Sequence, residues 1–129
     1  MSSVYARRAG IKRAYPIKAS TKIAAVTPVF LLAGLAVPFS AATGTGKFVG
    51  ISTFEKDNTG ADGDLHIEIE HQEFAFANKG DVTNAKVGEK VYFVDAVQVS
   101  IDSNSSARPL AGTVTQIEGN LVWVLPAVA

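Results

Sequence analysis

The chain has no cysteine, two histidines, one methionine and one tryptophan in 129 residues. Without cysteine there is no disulfide framework, no thiolate zinc site and no sulfur nucleophile. Two histidines, His66 and His71, are too few for a multi-histidine metal centre and supply little for a catalytic triad. Net charge is also missing: 12 Lys and Arg balance 12 Asp and Glu, so no overall field draws the chain to nucleic acid. Helical periodicity is scarce, and only residues 82–87 read as a single helical turn. The longest apolar run, residues 23–37, is too short and too interrupted by Pro28 and Gly34 to cross a bilayer. These absences weigh against an enzyme, and no catalytic, cofactor-binding or metal-binding residue is assigned.

What is present is alternation. Leu65-His-Ile-Glu-Ile-Glu70 alternates apolar and polar residues as a strand with one wet face does, which predicts Leu65, Ile67 and Ile69 pointing inward. Residues 47–54, 73–77, 90–94, 97–101, 113–117 and 121–125 carry the same aromatic and β-branched character, with turn chemistry between them. Gly119-Asn120 marks a tight hairpin, and Ala33-Gly34 marks another between segments 27–32 and 35–39. With 47% apolar residues, a chain this long buries roughly two-thirds of its unfolded surface. The expectation is one mainly β domain over residues 23–129, a small sandwich or barrel, preceded by an extended basic N-terminal arm at 1–22.

Several segments imitate chemical motifs. Thr43-Gly-Thr-Gly-Lys47 suggests a phosphate loop, but Ala41 stands where that loop needs glycine and Phe48 where it needs Ser or Thr, so a glycine-rich turn is the better reading. The stretch 57–64 gathers three aspartates without the spacing or closing Glu of a calcium loop, and reads as a solvated turn. Glu68 and Glu70 fall on the wet face of a strand, with Glu73 nearby and no nucleophile to serve. Trp123 shares a face with Leu121 and Leu125 and reads as either a core anchor or an interface aromatic.

Charge is segregated. Residues 1–54 hold seven bases and no acid, whereas 55–129 hold five bases and all 12 acids. The basic segment therefore lies against something acidic, either a partner or the chain's own body. Its candidate partner-binding residues are Tyr5, Arg7, Arg8, Ile11, Lys12, Arg13, Tyr15, Ile17, Lys18 and Lys22, a mixture of cations and apolar anchors suited to an interface. Because the strand pattern begins downstream, deleting residues 1–22 is expected to leave the β domain folded. The same opening residues also imitate a secretory signal, with residues 1–42 removed from an exported surface or adhesion domain. A third reading, a nucleic-acid-binding barrel, is weakened by the acidic body.

Thr27-Pro-Val-Phe30, Ala36-Val-Pro-Phe39, Gly46-Lys-Phe-Val-Gly-Ile51, Val87-Gly-Glu-Lys-Val-Tyr-Phe93, Ala111-Gly-Thr-Val114 and Leu121-Val-Trp-Val124 together resemble the capsid cement, or head-decoration, proteins of tailed bacteriophages. That resemblance implies a jelly-roll or β-tulip-like protein without catalytic residues or cofactor. It implies placement on the outer surface of the virion, bridging major capsid protein subunits against internal DNA pressure. The expected partners are the major capsid protein and itself, as a homo-dimer or homo-trimer joined through apolar β faces, with no direct nucleic acid or membrane contact.

Overall fold

The computed structural model describes residues 11–128. Twelve strands form: β1 (Lys12–Pro16), β2 (Thr21–Ile23), β3 (Pro28–Leu32), β4 (Leu35–Pro38), β5 (Lys47–Ser52), β6 (Lys56–Asn58), β7 (His66–Glu70), β8 (Phe74–Asn78), β9 (Lys90–Phe93), β10 (Gln98–Ser100), β11 (Leu110–Glu118) and β12 (Leu121–Pro126). Among the described residues helix is confined to two single 3₁₀ turns, Phe39–Ala41 and Asn84–Lys86. The second lies inside the segment whose sequence suggests one helical turn.

Five strands close on themselves in the order β11-β12-β8-β10-β9 and back to β11. Only β8 and β10 run parallel in this barrel. Strand β11 turns the corner, and bulges displace Ala111 against β9 and Thr115 against β12, which bends the strand so that one element serves two neighbours. Gly112 sits between the bulges at φ +147°, and a Cβ there would meet the Leu125 carbonyl oxygen at 1.9 Å. Only glycine permits this approach.

Outside the barrel, β5 lies beside β11 and continues the sheet to β3, β4, β7 and β1. The β3–β4 hairpin has the two-residue loop expected from sequence, with Ala33 at φ 53° and Gly34 at φ 82°. Strands β3, β4 and β5 form a wall with an apolar core on each side. Phe30, Val37 and Phe48 face the barrel core, and their chain neighbours Val29, Ala36 and Val49 face a second core with Ile17, Ile23, Ile67 and Ile69. Burial on both faces explains why these segments read as near-continuous apolar runs while β7, with one wet face, alternates.

The structure moves the boundary of the basic arm. Residues 12–16 pair along their whole length with β7, Ile17 has no exposed surface, and β2 pairs with β6. Sequence reading missed three strands, β1, β2 and β6. From Lys12 onward the proposed arm belongs to the domain, and removing residues 1–22 would strip one wall of the second core. Phe30 and Val37, inside the apolar run that imitates a signal, are fully buried in the barrel core. Leu65 is 39% exposed, contrary to expectation, because β7 begins one residue later and the Leu65 carbonyl instead accepts a bond from the Ile17 amide.

Candidate interaction surface

Hairpin β11–β12 presents two faces of opposite use. Val122 and Val124 point into the core with no exposed surface, so Leu121, Trp123 and Leu125 point outward, Leu121 and Leu125 41% and 37% exposed. Residues directly opposite in a ladder share a face. Register therefore places Ala77 beside Leu121 and Ala75 beside Trp123 on β8, with Glu118, Gln116 and Thr113 alongside on β11. Val97, 66% exposed, adjoins this row, its carbonyl accepting the Ala77 amide. The result is an apolar stripe on the barrel exterior, flanked by alanines on one side, with Leu121 and Leu125 exposed and Trp123 half-buried between them.

The stripe has a polar border. The Trp123 indole donates to Glu118 Oε1 at 3.3 Å, and the Thr115 hydroxyl donates to Glu73 Oε2 at 3.0 Å. An apolar centre with an aromatic anchor and a polar rim is the anatomy of a docking surface. The outward direction of Trp123 favours the interface reading over the core reading of that residue.

Two further exposed apolar residues lie on the β2–β3 and β5–β6 connections. Val26 is 78% exposed and Phe54 66%. Val26 holds φ 52°, an unusual conformation for a β-branched residue. Ser52 fixes it: the Ser52 hydroxyl donates to the Ala24 carbonyl at 2.6 Å, and the Val26 amide donates to the Ser52 carbonyl at 3.0 Å. The chain is thus held in a bent path that leaves a valine in solvent.

The arm residues named from sequence divide into several groups. Tyr5, Arg7 and Arg8 lie outside the described residues. Ile17 is buried and Tyr15 packs against the second core, so both are internal anchors of the fold. Lys12 pairs with Glu68 at 3.9 Å and Lys22 with Glu55 at 3.7 Å, so two of these cations face the chain's own acidic body. Ile11 and Lys18 are exposed and Arg13 is half-buried. Those of them within the described residues are not gathered into one patch. The stripe was legible only as a face of one strand; its alanine neighbours on β8 follow from a pairing between segments far apart in sequence.

Several of the remaining sequence candidates have structural partners. Asp62 accepts the Ala19 amide at 2.7 Å and Asp64 the Ala61 amide at 2.9 Å. Buried Asn58 donates to the carbonyls of Ile17, Lys18 and Ala61. The acidic turn thereby clamps the β1–β2 connection. The Nε2 atom of His71 lies 2.7 Å from the Val128 carbonyl oxygen, whereas His66 is exposed on the wet face of β7. Comparison with protein-family models, with curated proteins and with solved structures gives no match for this chain.

Proposed function

We propose that this protein is a non-enzymatic structural component of a tailed-phage virion, a cement protein that sits on the outer capsid surface and bridges major capsid protein subunits. The observation that carries the reading is the Leu121–Trp123–Leu125 stripe, an apolar face with a polar rim on a domain whose two cores are already filled. Such a face on a small domain is covered by a partner. Bridging needs more than one contact surface per chain, and exposed Val26 and Phe54, on two connections outside the barrel, offer further contacts. Many weak contacts repeated over a shell add to a strong total.

The stripe joins copies of this chain into a dimer or trimer, and Val26 and Phe54 contact the capsid. Light scattering across micromolar to submillimolar concentrations tests the first step. The wild type is expected to associate, and Leu121→Ser with Leu125→Ser is expected to be monomeric with its melting temperature nearly unchanged. Co-sedimentation with heads of the source phage stripped of this protein tests the second. Rebinding by the wild type and its loss in Val26→Ser with Phe54→Ser supports the assignment; failure of the wild type to rebind overturns it.

A further inference from the structure

We infer that a cleft on the opposite flank of β11 is a binding site for oxyanion groups of the phosphate or sulfate type, independent of the capsid reading. The cleft encloses about 500 Å³. Its floor is the outer face of three strands. Lys47 of β5 and Tyr92 of β9 both lie opposite Leu110 of β11, and Lys90 is two residues from Tyr92 on the same side. The intervening positions Phe48, Val91 and Phe93 are buried in the barrel core, so the floor rests on a rigid support.

Two loops make the walls, the 43–46 turn and the loop at 102–108. They meet backbone to backbone: a Cβ on Gly44 would lie 1.6 Å from the Ser106 carbonyl oxygen. Asn104, Ser105 and Ser106 are three consecutive non-glycine residues with positive φ, at 53°, 57° and 66°. Such conformations are unfavourable and persist only where the surroundings impose them, often at ligand sites. Here the Asn104 amide donates to Asp102 Oδ1 at 2.9 Å and the Ser106 amide to Ser103 Oγ at 3.1 Å. The Arg108 guanidinium is held at one nitrogen, Nη1, which donates to the Asp102 carbonyl at 2.9 Å, and its other donors remain for a ligand.

Charge identifies the ligand. Lys47, Lys90 and Arg108 line the cleft, no acid does, and among the described residues none of the three is in an ion pair. On a chain of zero net charge, three like charges held around one concavity raise the local concentration of anions. Hydroxyls of Thr45, Ser103, Ser106 and Tyr92 also line it and supply neutral donors. Arginine with lysines and hydroxyls suits a tetrahedral oxyanion. The glycine-rich turn that fails as a nucleotide phosphate loop is thus one wall of a different anion site.

NMR titration of the full chain with sodium phosphate, against sodium chloride at equal ionic strength, tests the site. Expected are saturable shifts at Lys90, Tyr92 and Arg108, with a dissociation constant on the order of millimolar. Lys47→Gln with Lys90→Gln alters exposed side chains and should preserve the fold while weakening binding about tenfold, roughly 1.4 kcal/mol. Glucose 6-phosphate as a second titrant separates the sources: tighter binding than phosphate indicates a phosphoester on a larger molecule, equal binding indicates the free anion, and either supports the site. Equal response to chloride, or an unchanged constant in the double variant, overturns it. Neither result bears on capsid rebinding, so the two proposals fail separately.

Discussion

The two cores are made of different materials and by different routes. The barrel core is aromatic: six of the seven phenylalanines belong to it, and the rings of Phe30, Phe48, Phe76 and Phe93 meet edge-on or tilted with centroids 4.8 to 5.9 Å apart. The second core is aliphatic, built from Ile17, Ile23, Ile67, Ile69, Val29, Val49 and Ala36, with Tyr15 at its margin. The barrel comes from one continuous stretch, β8 to β12, whereas the second core is assembled from short strands far apart in sequence, β1 with β7 and β2 with β6. Large rings fill a closed barrel with few residues. Branched aliphatics suit a thin layer between sheets, where each strand contributes one or two side chains. The wall of β3, β4 and β5 belongs to both, so neither core is an independent domain.

The most severe way to break this arrangement is to remove one side of the aliphatic core. Deleting residues 1–22 takes away β1 and Ile17 and exposes Ile67 and Ile69. It also orphans Asn58, two of whose carbonyl partners, those of Ile17 and Lys18, disappear. Burial of each large apolar side chain contributes roughly 1.5–3 kcal/mol, and the combined loss rivals a typical domain stability of about 5–15 kcal/mol. The truncated protein is expected to be unfolded or aggregated by far-ultraviolet circular dichroism. A truncation ending at residue 10 retains every described strand and is expected to melt cooperatively. A folded, cooperative 23–129 fragment would show that the aliphatic core does not depend on β1.

The same comparison explains what the sequence made legible. The mainly β class, the two tight turns and the strands of the barrel follow from aromatic and β-branched runs bounded by turn residues. Strand β1 reads as Lys-Arg-Ala-Tyr-Pro, with two charges and a proline, and does not alternate. It is a strand because β7 offers it a ladder and Ile17 enters the core beyond its end. At β2 and β6 only three residues pair on each side, too few for periodicity to register. The interaction stripe was half legible, since Leu121, Trp123 and Leu125 share one face of any strand through this segment, but its β8 neighbours depend on tertiary pairing. The oxyanion cleft was hidden more deeply: Lys47, Lys90 and Arg108 belong to three separate segments, brought together by tertiary pairing around Leu110.

A sharper and smaller test compares single truncations on either side of the wall. Phe93 touches three other rings, with centroids 5.1, 5.1 and 4.8 Å away, and Phe93→Ala is expected to lose about 3–5 kcal/mol. Ile67→Ala opens a smaller space and falls toward the lower part of the roughly 2–5 kcal/mol range for such changes. Urea unfolding followed by circular dichroism and by Trp123 fluorescence should give coincident transitions in both variants, because the wall couples the cores. Separate transitions in Ile67→Ala would show that the cores melt independently.

The smallest expected effect decides how the basic N-terminal residues are held. Lys12 and Glu68 stand 3.9 Å apart with side chains 59% and 40% exposed, and a pair this open to water contributes less than about 1 kcal/mol. Ile17, a few residues on, is completely buried. Burial of Ile17, more than attraction between charge blocks, therefore fixes this segment to the body. Lys12→Ala is expected to lower stability by at most a few tenths of a kcal/mol at low salt. That difference should vanish near 1 M salt, where the screening length falls to about 3 Å. Ile17→Ala should lose several-fold more, and its effect should persist at high salt. Denaturation of the two variants at low and high ionic strength gives the answer directly: a large, salt-sensitive loss in Lys12→Ala would return the segment to electrostatic control.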